Sequence, residues 1–570
     1  MKKEKKNFIL LLETKDKKGR YNKQLLGNNG EEYSVEFSKL SKKIEEKKHT
    51  TKHYAKKIGF SGVWLTAVLL LLQVFFLVNF FFWMEQGYPY AVEIMGLTSA
   101  IVMIYIINDK SNPAYKIAWI IPVVLLPVFG GVLYLFVKLN FGAVAPKRIL
   151  NKILAKTKKY TNTEPEVREN IRKEVPAFSK IANYIETIGG YPAWQNTAVT
   201  YFPLGDDTPK TLIEELKAAK EYIFLEYFII GEGIFWNQIL EVLEEKAKEG
   251  LDVRVMYDDF GCLAFLPRKY HMLLKEKGIR CRKYARLTPF LSTHLNNRDH
   301  RKMIVIDGKT AFSGGINLAD EYINAYEKYG HWKDNGFLIK GDAVYNYTLM
   351  FLQMWNVNSG SGEEDYKKYL AFGPVTAQNR MDKKQEPSEG YVIPYGDGPH
   401  QLEDVAKNVY MDILAGTKEY VYIMTPYLIL DYEMQQSLEH AAKCGADVRI
   451  IMPHIPDKRV VFYIGRTYYP QLISSGVKIY EYTPGFVHSK TFLSDDELAT
   501  VGTINLDFRS LYLHYECGAL FYKTEALEKI KEDFINTFDK CQPITLADYY
   551  GFPLWQRIVG RVLRVFGPLL

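Results

Sequence analysis

Two widely separated segments of the chain carry the same polar residues at the same spacing. Each has a histidine, a lysine two positions later, an aspartate five positions after the lysine and an asparagine ten positions after the aspartate. A single His-x-Lys pair is common and uninformative, but two complete arrays in one chain indicate a shared chemical task. The first array is His300, Lys302, Asp307 and Asn317, and the second is His488, Lys490, Asp495 and Asn505.

The residue types of the two arrays fit the transfer of a phosphoryl group. Alternate side chains of a β-strand point to opposite faces, so the histidine and lysine of each array share a face. Two imidazoles, two ammonium groups and two amides would surround a phosphate and offset the charge of its transition state. One imidazole can attack phosphorus while the other protonates the leaving alcohol, so both arrays are required. We predict His300 as nucleophile, His488 as acid and base, and Asn317 and Asn505 as phosphate-binding residues.

The aspartates complete the catalytic arrays, but their strand parity places them behind the strand and favours a structural role. Asp307 and the following Gly308 are typical of a tight hairpin turn, and Asp495 occupies the equivalent place. We predict that the site uses no metal ion or other cofactor. Lysine is a poor metal ligand, and no cysteine or further carboxylate lies at ligand spacing in either array.

The arrays end two series of matching segments, which indicates an internal repeat. KEYIFLEYFII from Lys220 matches KEYVYIMTPYL from Lys418, and KEGLDVRVMYD from Lys248 matches KCGADVRIIMP from Lys443. Short β-rich runs alternate with charged helical segments, which is typical of an α/β fold with mixed sheets. We predict two homologous α/β halves, residues 191–358 and 391–543, joined by a polar connecting loop at 359–390.

An apolar block precedes the repeat. Apolar residues make up 47% of the chain, an ordinary fraction, but they crowd between residues 60 and 140. Residues 60–83 and 119–137 carry no charge and are long enough to cross a bilayer. Residues 91–107 contain Glu93 and could form a third span, an interfacial helix or part of a bent hairpin. We predict a transmembrane region at 60–140 with two or three spans.

The basic residues favour a cytoplasmic catalytic region. Lysines are dense before the first span, in the basic extension 1–59, and after the last, in the linker 141–190. Such segments tend to stay in the cytoplasm, although Lys110 and Lys116 in a short loop argue for a third crossing. Five scattered cysteines do not form a disulfide framework. We predict a multi-pass protein of the cell membrane with its catalytic part in the cytoplasm; the oligomeric state, a homo-oligomer included, stays open.

The last residues, 544–570, predict an amphipathic helix. Arg557, Arg561 and Arg564 fall on one helical face, and five apolar residues fall on another: Leu554, Ile558, Val562, Val565 and Leu569. We predict an interfacial helix beside the mouth of the site; the alternative is that its apolar face packs against the domain as core.

The paired arrays resemble the phospholipase D superfamily over residues 190–540. Within it, NPAYKIAWIIPVVLLPVFGGVLYLF from Asn112, LEYFII from Leu225 and YDDFG from Tyr257 are similar to bacterial cardiolipin synthases. The resemblance implies transfer of a phosphatidyl group between two phosphatidylglycerol molecules at a lipid bilayer, through a phosphatidyl-histidine, giving cardiolipin and glycerol. It implies no nucleic-acid partner, since the spans argue against the nucleases of the superfamily.

The resemblance also implies roles for acidic residues. Asp334 in HWKDNGF and Glu516 in HYECGAL would each orient a catalytic histidine, and Glu226 and Asp258 are weaker candidates. The chain has Gly-Gly and Gly-Thr where the family often has Gly-Ser, a departure that we expect not to touch the chemistry. The alternatives are a phospholipase D-type hydrolase, a phosphatidylserine synthase and a lipid-binding scaffold, although a scaffold would not need two intact arrays.

Overall fold

The computed structural model describes residues 10–15, 21–26, 75, 79, 82, 89–125, 127–139, 144–161, 164–284, 297–357, 363–370, 388–399 and 403–569. The chain divides into two units, Met1–Phe75 and Phe76–Leu570. Within the first unit, strands β1 (Leu10–Lys15) and β2 (Tyr21–Leu26) pair as an antiparallel hairpin with Leu10 opposite Leu26.

The first half of the repeat is built on a seven-stranded mixed sheet. Its strands run in the order β3-β10-β8-β7-β4-β5-β6, with parallel pairing from β4 to β6 and antiparallel pairing elsewhere. The bounds are β3 Thr197–Phe202, β4 Tyr222–Tyr227, β5 Asp252–Asp258, β6 Arg280–Tyr284, β7 Lys302–Ile306, β8 Thr310–Gly314, β9 His331–Lys333 and β10 Gly336–Gly341, where β9 lies outside the sheet.

The second half repeats this topology and adds one strand. Its order is β11-β18-β17-β16-β12-β13-β14-β19, so each strand of the first sheet has a counterpart at the same place. The matching sequence segments form β4 and β12, then β5 and β13, which confirms the predicted repeat of two α/β halves with mixed sheets. The bounds are β11 Tyr391–Asp397, β12 Tyr420–Met424, β13 Asp447–Pro453, β14 Lys478–Tyr482, β15 Gly485–Val487, β16 Thr491–Ser494, β17 Leu498–Gly502, β18 Glu516–Tyr522 and β19 Cys541–Ile544.

Helices cover the outer faces of both sheets, and the helices Val344–Val357 and Ala526–Phe538 each contact both sheets. The helix Val344–Val357 is buried along almost its whole length, and its Phe351 stacks on Phe224 of the first sheet with ring centroids 4.6 Å apart. Direct contact between the sheets is made by Phe337 and Phe521, whose centroids are 5.2 Å apart. The other helices of the repeat are Thr208–Ala218, Ile234–Lys248, Tyr270–Glu276, Val405–Gly416, Tyr432–Lys443, Arg459–Arg466, Tyr469–Ser474 and Ala526–Phe538.

The halves also meet through two short parallel strand pairings. Strand β15 of the second half pairs with β9 of the first, with Phe486 opposite Trp332. At the equivalent place of the pseudo-twofold arrangement, Asp299 of the first half bridges Tyr515 of the second. Each histidine of the arrays directly follows one of these crossings, at residue 300 or residue 488.

The apolar block differs from the prediction of long single helices. Residues 89–139 form three helices, Pro89–Asn108, Pro113–Leu125 and Pro127–Leu139, and residues 119–137 are therefore shared between two helices rather than one. The last of them returns close to the first, because Lys138 Nζ lies 2.7 Å from Asp109 Oδ2. Gly130 allows the third helix to pack closely on the second, since a Cβ there would be 2.3 Å from the carbonyl oxygen of Pro122.

Among the described residues, no helix combines the length and hydropathy needed to cross a bilayer. The predicted span at 60–83 lies outside the described residues except for positions 75, 79 and 82. The number of spans therefore stays a prediction.

Two segments expected to be connections are largely helical where they are described. The linker 141–190 contains the helices Val144–Thr157, Pro165–Glu174 and Pro176–Tyr184, and Phe178 stacks on Tyr522 with centroids 4.3 Å apart. In the connecting loop 359–390, the described residues include the helix Glu363–Leu370, whose Asp365 accepts from buried Arg254 at 2.8 Å. Both segments contribute to the core because apolar residues recur within their polar sequences.

The C-terminal segment forms the helices Leu546–Gly551 and Leu554–Arg564. The second helix packs by its arginine side: Arg564 lies 3.8 Å above the Tyr468 ring, and a Cβ at Gly560 would be 2.4 Å from the Tyr463 carbonyl oxygen. Its apolar side faces outward, with Leu554 62% and Val562 58% exposed. The alternative that this apolar face packs as core is therefore wrong.

Candidate functional site

Each array histidine is held by a carboxylate from the other half of the repeat. His300 Nδ1 lies 2.9 Å from both carboxylate oxygens of Glu516, and His488 Nδ1 lies 2.6 Å from Asp334 Oδ2. All four side chains are buried. The two acidic residues that were predicted to orient histidines are thus brought to them, but crosswise, so neither half holds its own histidine.

The backbone enforces the same crossed arrangement. The His300 amide donates to the Tyr515 carbonyl at 2.9 Å, and the His488 amide donates to the Lys333 carbonyl at 2.7 Å. Tyr515 and Lys333 immediately precede Glu516 and Asp334 in sequence. The strand pairing that crosses between the halves therefore sets both the histidine and its carboxylate partner.

The carboxylates leave the second ring nitrogen of each histidine free for chemistry. A carboxylate accepts from Nδ1–H and so fixes the neutral tautomer with its lone pair on Nε2. Burial lowers the pKa of His300 to about 3 and that of His488 to about 4. Burial raises the pKa of Glu516, but His300 outweighs this effect and holds that pKa well below its usual range. With these pKa shifts both imidazoles are neutral and both carboxylates are charged near pH 7.

The two lysines bring positive charge to the same place. Lys302 Nζ donates to the His300 carbonyl at 2.7 Å, and Lys490 Nζ donates to the His488 carbonyl. Burial lowers the pKa of Lys302 to about 8 and that of Lys490 to about 7. Lys302 also lowers the pKa of Lys490 and of His488. The cations of both halves are therefore within electrostatic reach of one another, as a shared phosphate site requires.

A pH dependence follows from these lysines. An ammonium with a lowered pKa is charged only below that value, so kcat/KM should fall as pH rises through about 7 to 8. In the Lys490→Arg variant the guanidinium stays charged, so the part of the fall that is due to Lys490 should disappear. The measurement is kcat/KM from pH 5 to 10 for both proteins; an unchanged alkaline limb in the variant would contradict the assignment to Lys490.

The array aspartates do not lie with the histidines. Asp307 has φ +52° in the turn between β7 and β8, where its carboxylate accepts from the amides of Lys220, Glu221 and Tyr222 at 2.8 Å each. Asp495 repeats this arrangement on the amides of residues 418–420 at 2.8–2.9 Å. Their place in the catalytic arrays is corrected by this geometry: the two carboxylates fasten the starts of β4 and β12, the structural role that strand parity favoured.

The array asparagines are buried beside the loops that follow β4 and β12. Asn317 Oδ1 accepts from the Ile229 amide at 3.0 Å. Asn505 is equally buried, and its Oδ1 has no hydrogen-bond partner among the described residues. Asn317 thus already has a structural bond through its oxygen, whereas Asn505 keeps its oxygen available.

The upstream acids brace the entry to the first array. Glu226 pairs with the guanidinium of Arg301, and burial raises its pKa well above the ordinary value. Asp258 accepts from the amides of Phe260 and Gly261 at 2.9 Å and from that of Asp299 at 3.2 Å. Neither carboxylate is bonded to a catalytic histidine.

The Gly-Gly and Gly-Thr departures do bear on the site, contrary to expectation. Thr503 donates its hydroxyl to Glu516 Oε2, so it orients the acid that holds His300. At the equivalent position a Cβ on Gly315 would lie 2.0 Å from Asp334 Oδ1 and 3.1 Å from the His488 carbonyl. Both positions contact an orienting carboxylate. The unusual residues were visible in the sequence, but their contacts with the carboxylates depend on the tertiary fold.

Gly315→Ala should displace Asp334 and lower activity strongly. The added methyl group overlaps the carboxylate, so His488 loses its orienting partner, and we expect a loss of about 10²-fold or more in kcat. Gly416→Ala is the matched control, because a Cβ there meets nothing within 4 Å. Steady-state rates and melting temperatures of both variants decide; equal activity of the two would contradict the contact.

A third buried histidine was not anticipated. His514 lies beside His300 with ring centroids 5.5 Å apart, and its Nδ1 is 3.7 Å from Glu516 Oε1. The equivalent residue of the other half is Trp332, whose ring centroid is 5.6 Å from that of His488. The two half-sites therefore differ in the ring that flanks the catalytic histidine.

In this repeat, each half supplies the carboxylate that holds the histidine of the other half's His-x-Lys array. This arrangement defines an enzyme of the phospholipase D-like class. The family model described as cardiolipin synthase, phospholipase D-like domain, matches residues 212–355 and 410–538, and a phospholipase D-nuclease N-terminal model matches 98–138. The chain belongs to the cardiolipin synthase family of this superfamily and is a phospholipid synthase or transferase.

Individual relatives agree. The chain is 33% identical to a cardiolipin synthase of Geobacillus thermodenitrificans over 83% of this chain and 92% of that protein. It is 43% identical to an uncharacterized protein of Streptococcus mutans over 82% of this chain and 99% of that protein. The crystal structure of a phosphatidylserine synthase from Haemophilus influenzae matches with a TM-score of 0.51 at 16% identity, over 69% of this chain and 98% of that one, which shows likeness of fold alone.

Proposed function

We propose that this enzyme is a cardiolipin synthase that transfers a phosphatidyl group from one phosphatidylglycerol to another and releases glycerol. The observation that carries the proposal is the crossed pair of carboxylate–histidine contacts, Glu516 to His300 and Asp334 to His488. This arrangement supplies two imidazoles of the same tautomer in one cationic site, which a transfer in two steps requires.

In the first step, Nε2 of His300 attacks phosphorus and the bond from phosphorus to the glycerol headgroup oxygen breaks. The negatively charged phosphate raises the pKa of His488 when the lipid binds, so His488 takes up a proton on Nε2. It gives that proton to the leaving oxygen, and glycerol leaves as a neutral alcohol. Lys302 and Lys490 stabilise the charge that builds on the non-bridging oxygens, and the side-chain NH2 groups of Asn317 and Asn505 donate hydrogen bonds to these oxygens. The product is a phosphatidyl group bonded to His300, while His488 is left neutral.

In the second step, the headgroup hydroxyl of another phosphatidylglycerol gives its proton to His488 and attacks phosphorus. The bond between phosphorus and His300 breaks, which yields cardiolipin and restores both side chains. Trapped label on His488 instead of His300 would reverse the two roles without changing the chemistry.

The first experiment is lipid product analysis with purified, detergent-solubilised full-length protein and phosphatidylglycerol as sole lipid. Cardiolipin and glycerol in equal amounts support the proposal. Phosphatidic acid as the main product would make the enzyme a hydrolase, and a phosphatidylserine product that appears only with added serine would make it a phosphatidylserine synthase.

We further propose that the enzyme works at the cell membrane as a multi-pass protein with its catalytic part in the cytoplasm. Support comes from exposed apolar side chains on the helix Pro89–Asn108, among them Leu97 and Ile104, and on the outward face of Leu554–Arg564. Such surfaces are stabilised when lipid covers them. The basic extension and the uncharged segment 60–83 provide further support.

Charged substitutions on the C-terminal helix should release this surface from lipid. Leu554→Glu with Val562→Glu places two charges on the outward face, so we expect at least about tenfold lower activity on phosphatidylglycerol vesicles. Activity on a soluble short-chain phosphatidylglycerol should be retained. Met272→Glu is the control, since this residue is similarly exposed on the helix Tyr270–Glu276. Equal losses on both substrates would contradict a lipid-facing role.

A further inference from the structure

No role has been assigned to His514, although its ring centroid lies 5.5 Å from that of His300. Its side chain is 10% exposed, against 9% for His300 and 8% for His488, so it opens to the site as little as they do. Neither of its ring nitrogens has a hydrogen-bond partner among the described residues. A buried imidazole with both nitrogens unsatisfied is unusual, because such groups are normally paired. The unsatisfied nitrogens point to a ligand.

The surroundings of His514 define which ligand fits. One nitrogen of His300, one nitrogen of His514 and one carboxylate oxygen of Glu516 all lie within 4.8 Å of one another. His300 Nδ1 is 2.9 Å and His514 Nδ1 is 3.7 Å from the Glu516 oxygens. Ligands at 2.0–2.1 Å from a tetrahedral ion are about 3.4 Å apart. The distances from Glu516 to the two imidazoles are close to this value, and the two imidazoles would have to approach one another to the same separation.

We propose that a divalent ion of the zinc type binds His300, His514 and Glu516 and thereby inhibits the enzyme. Two imidazoles and one carboxylate form a ligand set that zinc uses with a fourth position open. The second half cannot form such a site, because Trp332 stands in the place of His514 and its indole nitrogen is a donor only. The site is therefore single and asymmetric.

Inhibition follows from the tautomer that the ion imposes. At rest the His300 proton is on Nδ1, where it is donated to Glu516. An ion that binds at Nδ1 replaces this proton, which moves to Nε2, and the imidazole ring itself stays neutral. Nε2–H has no lone pair with which to attack phosphorus or to accept a proton. The ion thus stops the cycle whichever role His300 has; this consequence rests on the proposed function, whereas the binding does not.

The neighbouring cations limit the affinity and make the inhibition reversible. Lys302 and Lys490 both interact electrostatically with Glu516, so they oppose a second source of positive charge at that carboxylate. The buried carboxylate and the unsatisfied imidazole favour the ion. Because the lysines oppose the ion while the carboxylate and imidazole favour it, the site should release its metal to a chelator without unfolding of the protein.

Direct binding is measured first, on full-length protein in detergent and without lipid. Titration with Co²⁺ should give the visible absorption of a tetrahedral ion at one equivalent, and Zn²⁺ should displace it. Removal of even an outer-shell partner weakens metal sites 10- to 100-fold, so loss of a ligand in His514→Asn should weaken binding by at least about 100-fold. His514→Gln is the second variant, should the first fail to fold as judged by its melting temperature.

His454→Asn is the matched control. His454 also pairs with a buried glutamate, Glu481, at 3.0 Å, but Arg466 rather than a second histidine shares that carboxylate. This variant should bind Co²⁺ as wild type does. Binding that is equal in wild type and in both His514 variants, or loss of the one Co²⁺ equivalent in His454→Asn, would overturn the proposed ligand set.

The activity arm separates this proposal from the proposed function. Zn²⁺ should inhibit cardiolipin formation by wild type and by His454→Asn, with recovery on chelation, and each His514 variant should need at least about 100-fold more Zn²⁺ relative to its own metal-free rate. Wild type that binds one Co²⁺ but forms no cardiolipin would reject the proposed function alone. Wild type that forms cardiolipin but shows no His514-dependent binding would reject the metal site alone.

Discussion

Replacing either His300 or His488 with alanine is expected to lower the rate of cardiolipin formation by at least about 10⁴-fold. In the proposed mechanism one imidazole forms the bond to phosphorus and the other moves the proton, so the loss of either should stop the cycle. The variants should still bind phosphatidylglycerol vesicles, because neither histidine lies on the exposed apolar helices. Lipid product analysis and vesicle sedimentation on the same preparations measure both properties.

The two alanine variants should also differ from one another in a trapping experiment. The variant that lacks the acid and base keeps its nucleophile, so it can accumulate phosphatidyl-histidine slowly, whereas the variant that lacks the nucleophile cannot. His454→Ala is the control for loss of an ion-paired histidine elsewhere, at Glu481. Turnover above one hundredth of the wild-type rate in either variant would rule out the two-histidine mechanism.

The repeat and its key residues could be predicted from sequence because their signals are local. Spacing along a strand predicts His300 beside Lys302 with Asp307 turned away. In the structure the two strands begin only at Lys302 and Thr491, but the lysine of each array does lie beside its histidine, because its Nζ donates to the histidine carbonyl. The matching segments were enough to predict that strands of the first half, β4 and β5, recur in the second half as β12 and β13. The same local reasoning also favoured a structural role for the aspartates, which the contacts of Asp307 with three backbone amides bear out.

The crossing of the carboxylates could not be predicted, since it depends on how the halves dock. Glu516 follows the second array by 21 residues from its aspartate, yet it holds the histidine of the first. The contribution of Thr503 and Gly315 was missed for the same reason: a threonine that bonds to a carboxylate 13 residues away, and a glycine that makes room for another, gain their meaning only from tertiary contacts.

Uniform hydropathy was a weaker guide than spacing. Residues 119–137 have an uncharged sequence that fits one long helix, but Gly130 packs on the backbone of Pro122 and the chain folds into two shorter ones. The linker 141–190 was assigned by its polar composition, although every third or fourth residue of its helices is apolar and buried, such as Val167 and Ile171. Composition averages conceal this periodicity.

Neutralising the orienting carboxylates should give the second largest effect. Glu516→Gln and Asp334→Asn keep the volume of the side chain but can donate to Nδ1, which favours the tautomer with its proton on Nε2. We expect each change to lower kcat by about 10²–10⁴-fold with a much smaller effect on KM, because in the proposed mechanism the lysines, and not these acids, bind the substrate. Steady-state kinetics on mixed micelles measure both constants.

The crossed geometry also predicts which pairs of substitutions have additive effects on the rate. Thr503 and Glu516 act on one histidine, so Thr503→Val should cost little once Glu516→Gln is present. Asp334 acts on the other histidine, so Asp334→Asn should reduce the rate again in the Glu516→Gln background. If instead Thr503→Val has its full effect beside Glu516→Gln, the hydroxyl does not work through that carboxylate. Thr503 and Glu516 are both in the second half, whereas His300 is in the first. A non-additive result would therefore support a path from the Thr503 hydroxyl through the Glu516 carboxylate to a histidine of the other half.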